Sequence, residues 1–587
     1  MTLMDASPAP VPVATVPPRS IWIARPWVDL LVGCGGWSLP LLAISYALTG
    51  AAARQWSSAF YTLALISNYP HYMATVYRAY GRSDRTAHRL YTVWGTAVLV
   101  ALGALAHVEL MLLPLLFTTY IVWSPWHYTG QNYGLLVMFL KRAGLDITPI
   151  ERRCVRYAFV ASYVMLLAAF NEGASSDPLV LSMDLPREVT RLVGGAALVV
   201  FVSGGVAGFI SIRKRAPRST LVAPGLLYVT QGLWFVVPIA LAWTMGLAVP
   251  QTRYSSGILA VMHSTQYLWI TQYFAKREQG ESWATSRYWT AVIAGGLALF
   301  LPIPWLASYA AHVDFTASVL IVTAIVNLHH FMIDGVVWKL RDTRVAKTLT
   351  ASFDSPGGRA ATAGLPQDRS LGVRLAAGRR IALAGVVIAL VALAGIDQWR
   401  YWLASSESDP SSLQAAIRLN PYDAAPQARL LRILVDSGRD EEARTHLDQM
   451  IAAQPNDANT RVNAGVLALR MGRSDDAERN WKAALEIDPS LAHVHLYLAE
   501  LLDNGGRVAE ALPLYRQYLE LTVQQQSARR PDPAVVIGAI LRFGDALSRT
   551  AQPAEARMQF ELAARMARQT GARDLEQAAQ GRLAQQP

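Results

Sequence analysis

Five histidines, His71, His127, His263, His329 and His330, lie inside apolar stretches long enough to span a bilayer. An ionisable side chain at that depth is costly, so it normally faces the protein interior. Imidazole is also the commonest metal ligand. Each histidine has polar company at helical spacing. Asn68 precedes His71 by three residues and Gln131 follows His127 by four. Gln266 and Tyr267 follow His263 by three and four, Asn327 precedes His330 by three, and Asp334 follows it by four. Spacings of three and four share one helix face, and metal-bound imidazoles commonly donate their outer N–H to such oxygens. The pattern therefore predicts a metal site with His71, His127, His263 and His330 as ligands. Asn68, Gln131, Gln266, Tyr267 and Asn327 support them, and Asp334 orients His330 or takes protons. His329 is an alternate ligand or faces the next helix, since adjacent residues point about 100° apart. The surrounding words SNYPHY, SPWHYTGQNYG, MHSTQY and NLHHFMIDG are rich in aromatics, which suits an apolar or conjugated substrate.

Neutral nitrogen donors with few carboxylates suit iron, copper or zinc, not magnesium or calcium. The chain has no cysteine or methionine cluster that would mark copper and no Cys-x-x-Cys-His haem-attachment word. Membrane di-iron desaturases show several HxxxxH or HxxHH words, whereas here only His329–His330 are paired, which points to a mononuclear site. With histidines on several apolar helices, residues 28–341 resemble the bacterial Brp/Blh-type β-carotene dioxygenases, polytopic proteins that hold iron with histidines. That resemblance implies a non-haem iron enzyme that uses dioxygen on a hydrophobic, lipid-like substrate. The extra spans and the appended tail depart from the family. Two other functions fit the same residues. One is electron transfer through a haem held by two histidines. The other is non-catalytic, a transporter or envelope assembly protein whose tail is a scaffold.

The elements that must position these residues are membrane helices. The 587 residues are 52% hydrophobic and 16% charged, against roughly 25% charged in soluble chains. Apolar runs fall at 28–49, 57–79, 90–108, 111–140, 155–172, 191–212, 221–245, 254–275, 288–310, 314–338 and 380–400, which predicts about eleven transmembrane helices. Arg78, Lys141, Arg142, Arg152, Arg153, Arg213–Arg215, Lys276, Arg277 and Lys339 all follow even-numbered runs. Basic loops mark the cytoplasmic side. The expected protein is thus a multi-pass protein of a bacterial-type inner membrane, with a cytoplasmic N-terminus and the tail outside the cytoplasm. All four histidine-bearing runs are even-numbered and therefore parallel. The histidines would sit roughly 10, 21, 20 and 14 Å from the inner face, and Pro70 and Pro125 beside two of them can bend those helices inward. The basic excess lies in short loops and makes no face for nucleic acid. Cys34 and Cys154 read as small buried residues. His88, His107 and His312 fall at run ends, where interfacial solvation suits them.

After residue 404 the composition changes: 24 of the 42 acidic but only 21 of the 53 basic residues lie there, so the tail is near −3 and the rest near +14. Pro421, Pro455 and Pro489 are 34 residues apart, as are Gly438, Gly472 and Gly506, and Ala443, Ala477 and Ala511. Three marker positions on one 34-residue period resemble the tetratricopeptide repeat (TPR), a helix–turn–helix unit. A half-unit, SSLQAAIRLNP, precedes the first copy, and an imperfect fourth copy centres on Ala556, 45 residues beyond Ala511. The chain thus reads as all-α. A disordered Pro-rich stretch (1–20), without a cleaved signal peptide, leads into a polytopic domain (21–341). A linker (342–376), a last span (377–403) and a TPR α-solenoid (405–587) follow. The resemblance implies a groove for a protein or peptide partner, while membrane lipids surround the rest.

Overall fold

A computed structural model describes residues 21–48, 50–80, 90–175, 177–247, 254–279, 285–338, 349, 377–406, 408–524 and 531–585. The Pro-rich stretch 1–20 and, apart from Leu349, the linker 342–376 lie outside these residues, as does His88. Every regular element described is helical, and the one β-bridge joins Glu172 to Leu185. The chain divides into two compact units.

The first unit takes in residues up to Ala311 and Ala317–Gln398. Its helices are α1 (Ser38–Ala47), α2 (Gly50–Tyr80), α3 (Thr96–Val108), α4 (Leu113–Arg142), α5 (Pro149–Phe170), α6 (Arg187–Arg213), α7 (Val222–Gln231), α8 (Val237–Met245), α9 (Ala260–Gln279), α10 (Thr285–Phe300), α11 (Ile303–Ala311), α12 (Phe315–Val337) and α13 (Ala377–Ala404). Apolar runs without water must satisfy their backbone internally, which leaves the helix as the local solution. Among the described residues seven helical stretches are long and apolar enough to cross a membrane, or eight if the pair Pro26–Gly33 and Ser38–Ala47, bent by 45°, is one span. Among the four helices that carry the clustered histidines only α12 meets that standard. α2, α4 and α9 fall below it and carry more polar side chains, such as Ser264, Thr265 and Gln266 beside His263. Pro70 and Pro125 lie inside continuous helices α2 and α4. Gly296 of α10 packs against the backbone beside Pro70, where a Cβ would come within 2.6 Å of the Tyr69 carbonyl oxygen.

Some of the basic residues read as loop charges are buried instead. Arg142 is 3% exposed. It donates to the carbonyls of Ile21, Trp22 and Leu349 and to the Tyr273 hydroxyl, each at 2.9 Å. The Arg78 guanidinium lies 3.7 Å from the ring centres of both Phe274 and Trp338. Arg277 is buried and donates to Tyr273. A guanidinium has five donors and a stackable plane, so it can satisfy carbonyls and rings inside a protein. Arg152, Arg153, Arg213–Arg215 and Lys276 remain exposed. His107 is also buried, donating from Nδ1 to the Gly103 carbonyl and pairing through Nε2 with Ser318 Oγ. It is a helix-to-helix bond and not an interfacial residue. Cys34 is buried, Cys154 half-buried, and both are free thiols.

The second unit comprises His312–Thr316 and Trp399–Pro587. Its helices are α14 (Pro410–Leu419), α15 (Ala424–Asp436), α16 (Asp440–Ala453), α17 (Ala458–Arg470), α18 (Ser474–Ile487), α19 (Ala492–Asn504), α20 (Val508–Gln524), α21 (Pro533–Arg549), α22 (Pro553–Thr570) and α23 (Arg573–Ala584). The half-unit forms α14. Pro421, Pro455 and Pro489 each fall just beyond the end of α14, α16 and α18. Gly438, Gly472 and Gly506 take φ of 71°, 74° and 78° in the turns within the pairs, a left-handed conformation that costs glycine nothing. Ala443, Ala477, Ala511 and Ala556 are fully buried where paired helices meet. His312, expected at a solvated run end, has φ of 57° and stacks on Tyr422 at 4.9 Å. Arg400, fully buried, pairs with Asp423 and covers the Phe315 ring at 3.9 Å.

Candidate metal centre

Four of the five histidines meet in one cluster. His71 on α2 and His330 on α12 bring their Nε2 atoms to 2.9 Å, and His127 on α4 brings its Nε2 to 3.1 Å from that of His330. The His263 ring on α9 stands edge-on to His71 and His127 at 5.0 and 4.9 Å between ring centres, and stacks on Tyr128 at 4.3 Å. His71, His263 and His330 are each 1% exposed. Their nitrogens, and separately those of His127 and His330 with a carboxylate oxygen of Asp334, lie within 4.8 Å of one another. His330 belongs to both groups.

His329 stands apart. Its Nε2 lies 2.9 Å from the Tyr80 hydroxyl and 3.1 Å from Thr96 Oγ1, and its ring stacks on Tyr80. Adjacent helical residues diverge, so His329 pairs with the neighbouring helix and leaves the cluster to His330.

The outer nitrogens show how the rings are held. His71 Nδ1 lies 3.2 Å from the Asn68 carbonyl oxygen. A carbonyl only accepts, so Nδ1 carries the hydrogen and Nε2 presents its lone pair. The support expected from the Asn68 side chain therefore comes from its backbone. His330 Nδ1 lies 2.8 Å from Thr75 Oγ1, Thr75 lies 2.7 Å from the Tyr267 hydroxyl, and Tyr267 donates to Asp334 Oδ1 at 2.8 Å. Run from His330 to Asp334, this chain gives every donor an acceptor and leaves the His330 Nε2 lone pair bare; with Thr75 donating to Nδ1 instead, Nε2 carries the hydrogen. Asp334 does not touch the outer nitrogen of His330. Its Oδ2 lies 3.6 and 3.8 Å from Nε2 of His330 and His127, on the inner side of the rings. An offset of four residues carries the carboxylate past the ring to that side, and Thr75 of α2 takes the orienting place.

The remaining polar residues tie the helices to each other. Gln131 donates to Gln266 Oε1 and lies 3.4 Å from the His263 carbonyl oxygen. Gln266 donates to Asn132 Oδ1 and the Gly33 carbonyl, Asn132 to Gln231 Oε1, and Gln231 to Thr129 and Ser162. Asn327 accepts from the Tyr72 hydroxyl at 3.0 Å. Thr75, Tyr72, Asn132, Gln231 and Trp338, whose indole donates to Tyr267, were not singled out from sequence. Thr75 had a usable signal, standing four residues after His71 as Gln131 stands after His127. A threonine in an apolar helix, however, usually bonds its own backbone.

The donor set fits a bare metal ion. Nitrogens on a metal at about 2.05 Å lie about 2.9 Å apart at a right angle and about 3.4 Å apart at the tetrahedral angle, and the observed 2.9 and 3.1 Å fall in that interval. Among the described residues neither ring nitrogen of His263 has a hydrogen-bond partner, although both are buried. Buried polar atoms are nearly always bonded, so this orphaned ring asks for a ligand.

A cavity of about 550 Å³ adjoins the cluster. His127, Asp334, Tyr267 and Gln131 form its polar wall, while Trp123, Trp126, Phe331 and Trp338 contribute aromatic surface.

The tetratricopeptide repeat family matches residues 462–527, which take in most of α17 and all of α18 to α20, with Gly472, Ala477, Pro489, Gly506 and Ala511. No curated protein matches the chain. Among solved structures, a crystal structure of MamA protein is 15% identical, covering 28% of this chain and 83% of that one with a TM-score of 0.24. YrrB, described as a TPR protein with an unusual peptide-binding site, is also 15% identical, covering 30% of this chain and 80% of that one with a TM-score of 0.23.

Proposed function

We propose that the first unit is a membrane-embedded, histidine-ligated iron oxidoreductase of the oxygenase type, acting on a hydrophobic, lipid-like substrate. The observation that carries this reading is the facing pair His71 and His330. The Asn68 carbonyl commits Nδ1 of His71 as a donor, so the Nε2 lone pair of His71 faces His330 Nε2 at 2.9 Å, with His127 and the unbonded His263 ring beside them. A cation among these nitrogens would take up their lone pairs together. His127 and His263 complete a four-nitrogen set, and nitrogen donors of this kind suit a transition metal. Two histidines that hold a haem need their nitrogens about 4 Å apart, twice a metal–imidazole bond of about 2 Å, with the macrocycle between them. The Nε2 atoms here are closer than that, and other imidazoles crowd them, which favours a bare ion over haem.

Iron held here would supply one-electron and dioxygen chemistry that no side chain provides. The chain's own residues do the rest. The Asn68 carbonyl holds His71 in the tautomer that leaves Nε2 bare, and Thr75 holds the His330 ring through Nδ1. Asp334, held through Oδ1 by Tyr267, turns Oδ2 toward the cavity side of the cluster, where a carboxylate can accept a proton or a place in the donor set. Trp123, Trp126, Phe331 and Trp338 keep that side apolar.

The exposed Arg152 and Arg153 beyond α4, Arg213, Lys214 and Arg215 at the end of α6 and Lys276 in the last turns of α9 support a cytoplasmic N-terminus in a bacterial-type inner membrane, with the repeats outside the cytoplasm. There the repeats recruit a protein or peptide partner.

Elemental analysis of purified full-length protein, with an optical spectrum, tests the reading. One iron per chain without a Soret band is expected, with its loss in His330→Ala, because His330 serves both donor groups. Metal-free protein, with the His330→Ala variant behaving like wild type, overturns it and returns the unit to a transport or assembly role.

A further inference from the structure

The cavity beside the cluster has three glycines in its lining, Gly130 and Gly134 on α4 and Gly335 on α12. A Cβ added at any of the three would meet nothing within 4 Å. These glycines therefore do not serve a close helix contact, as Gly296 does. They keep space open. Each also weakens its helix by about 1 kcal/mol relative to alanine, so the open space has a cost in local stability.

The positions follow the helix period. Trp123, Trp126, Gly130, Gly134 and Met138 of α4 line the cavity at intervals of three or four, which is one face of one helix. Bare backbone at Gly130 and Gly134 makes a shallow channel along that face, with aromatic rings flanking it. Trp123 and Trp126 at one end are 40% and 45% exposed, on a unit whose outer helices are apolar. Met138 lies at the other end of that face, and His127 and Asp334 line the cavity beside it.

Charge narrows the occupant. Among the described residues no lysine, arginine or glutamate lines the cavity, and Asp334 is the single carboxylate of that lining. An anionic headgroup or fatty carboxylate would find no cation there and would face Asp334. We infer that Gly130, Gly134 and Gly335 form a slot selective for an uncharged, unbranched apolar chain, drawn from the surrounding lipid with one segment laid against His127 and Asp334. This inference rests on the reading of the cluster as a metal centre only for what happens beside His127 and Asp334.

The test uses full-length protein in lipid nanodiscs and two photoreactive probes, a diazirine-bearing long-chain alkane and the carboxylate of the same length. Adducts are mapped by mass spectrometry, with iron content measured on the same samples. The alkane is expected to label residues 123–138 and 331–338, and the carboxylate to label them several-fold less. Gly134→Leu should lower alkane labelling by about tenfold or more, equivalent to about 1.4 kcal/mol, with iron content unchanged, and Gly134→Ala should lower it less. Equal labelling across Gly134, Gly134→Ala and Gly134→Leu overturns the slot, as does equal labelling by both probes. If the leucine variant does not fold, the alanine variant decides. Labelling that depends on Gly134 in iron-free protein keeps the slot and removes the metal reading. Iron with labelling indifferent to Gly134 does the reverse.

Discussion

In the repeat unit, helices that touch follow one another in the chain, whereas in the histidine cluster His71 meets His330 across 259 residues. The difference decides how each region responds to damage. A repeat array is a series of neighbour contacts, so its stability is close to a sum of local terms. The cluster has no local part. Each helix brings one imidazole, and the site exists only where α2, α4, α9 and α12 are all in register. One region should therefore lose stability in pieces, while the other should lose function without losing its fold.

The largest effect expected inside the repeats probes that locality. Trp481 of α18 is 2% exposed, donates to the Val462 carbonyl, and sits so close to α17 that a Cβ on Gly465 would come within 2.3 Å of its indole nitrogen. Trp481→Ala should cost about 3–5 kcal/mol, the usual range for emptying such a site. Hydrogen exchange on full-length protein should show lost protection in α17 and α18, little change in α21 and α22, and unchanged metal content. Loss of metal in this variant would erase the contrast between the two regions.

The converse probe is Thr75→Val, which keeps shape and removes the hydroxyl that holds His330 Nδ1. Removing such an outer partner typically lowers metal affinity about 10–100-fold. Competition with a chelator should show that loss, with thermal unfolding little changed, and Thr75→Ser should restore affinity. An unaltered affinity would mean that His330 is held by packing alone.

The same contrast explains what could be read in advance. The repeats were legible because Pro421, Gly438 and Ala443 return every 34 residues, and a period needs no knowledge of tertiary contacts. The four clustered histidines were legible as types at membrane depth. Separating His330 from His329 needed the rotational phase of α12, which a helix pattern gives only relative to a known neighbour. Thr75 was hidden because a threonine in an apolar helix looks the same whether it bonds its own turn or a ring from 255 residues away. Arg142 misled in the opposite sense. At the end of an apolar run it reads as a loop charge, yet it is buried on carbonyls from segments that only the fold brings to it. Seven or eight of the described helical stretches pass as apolar spans by composition alone, and polar residues that meet inside the unit lower the apolarity of the helices that carry them.

The smallest effect tests whether the fourth repeat obeys the rule of the first three. Ala551 stands 45 residues after Gly506, the same offset as Ala556 from Ala511, and takes φ of 57°. It fills the turn position that Gly438, Gly472 and Gly506 hold in the other copies. A left-handed L-residue costs about 1–2 kcal/mol, while glycine adds about 0.4–1 kcal/mol of unfolded-state entropy to be lost on folding. The first term is the larger, so Ala551→Gly should stabilise the α21–α22 pair by up to about 1 kcal/mol, seen as slower hydrogen exchange there. Gly472→Ala, placing a Cβ at φ of 74°, should shift the α17–α18 pair the opposite way by a similar amount. Opposite signs from the same exchange of side chains would tie both turns to one backbone rule. Equal signs would mean that the fourth pair is a helical hairpin whose turn has a geometry of its own.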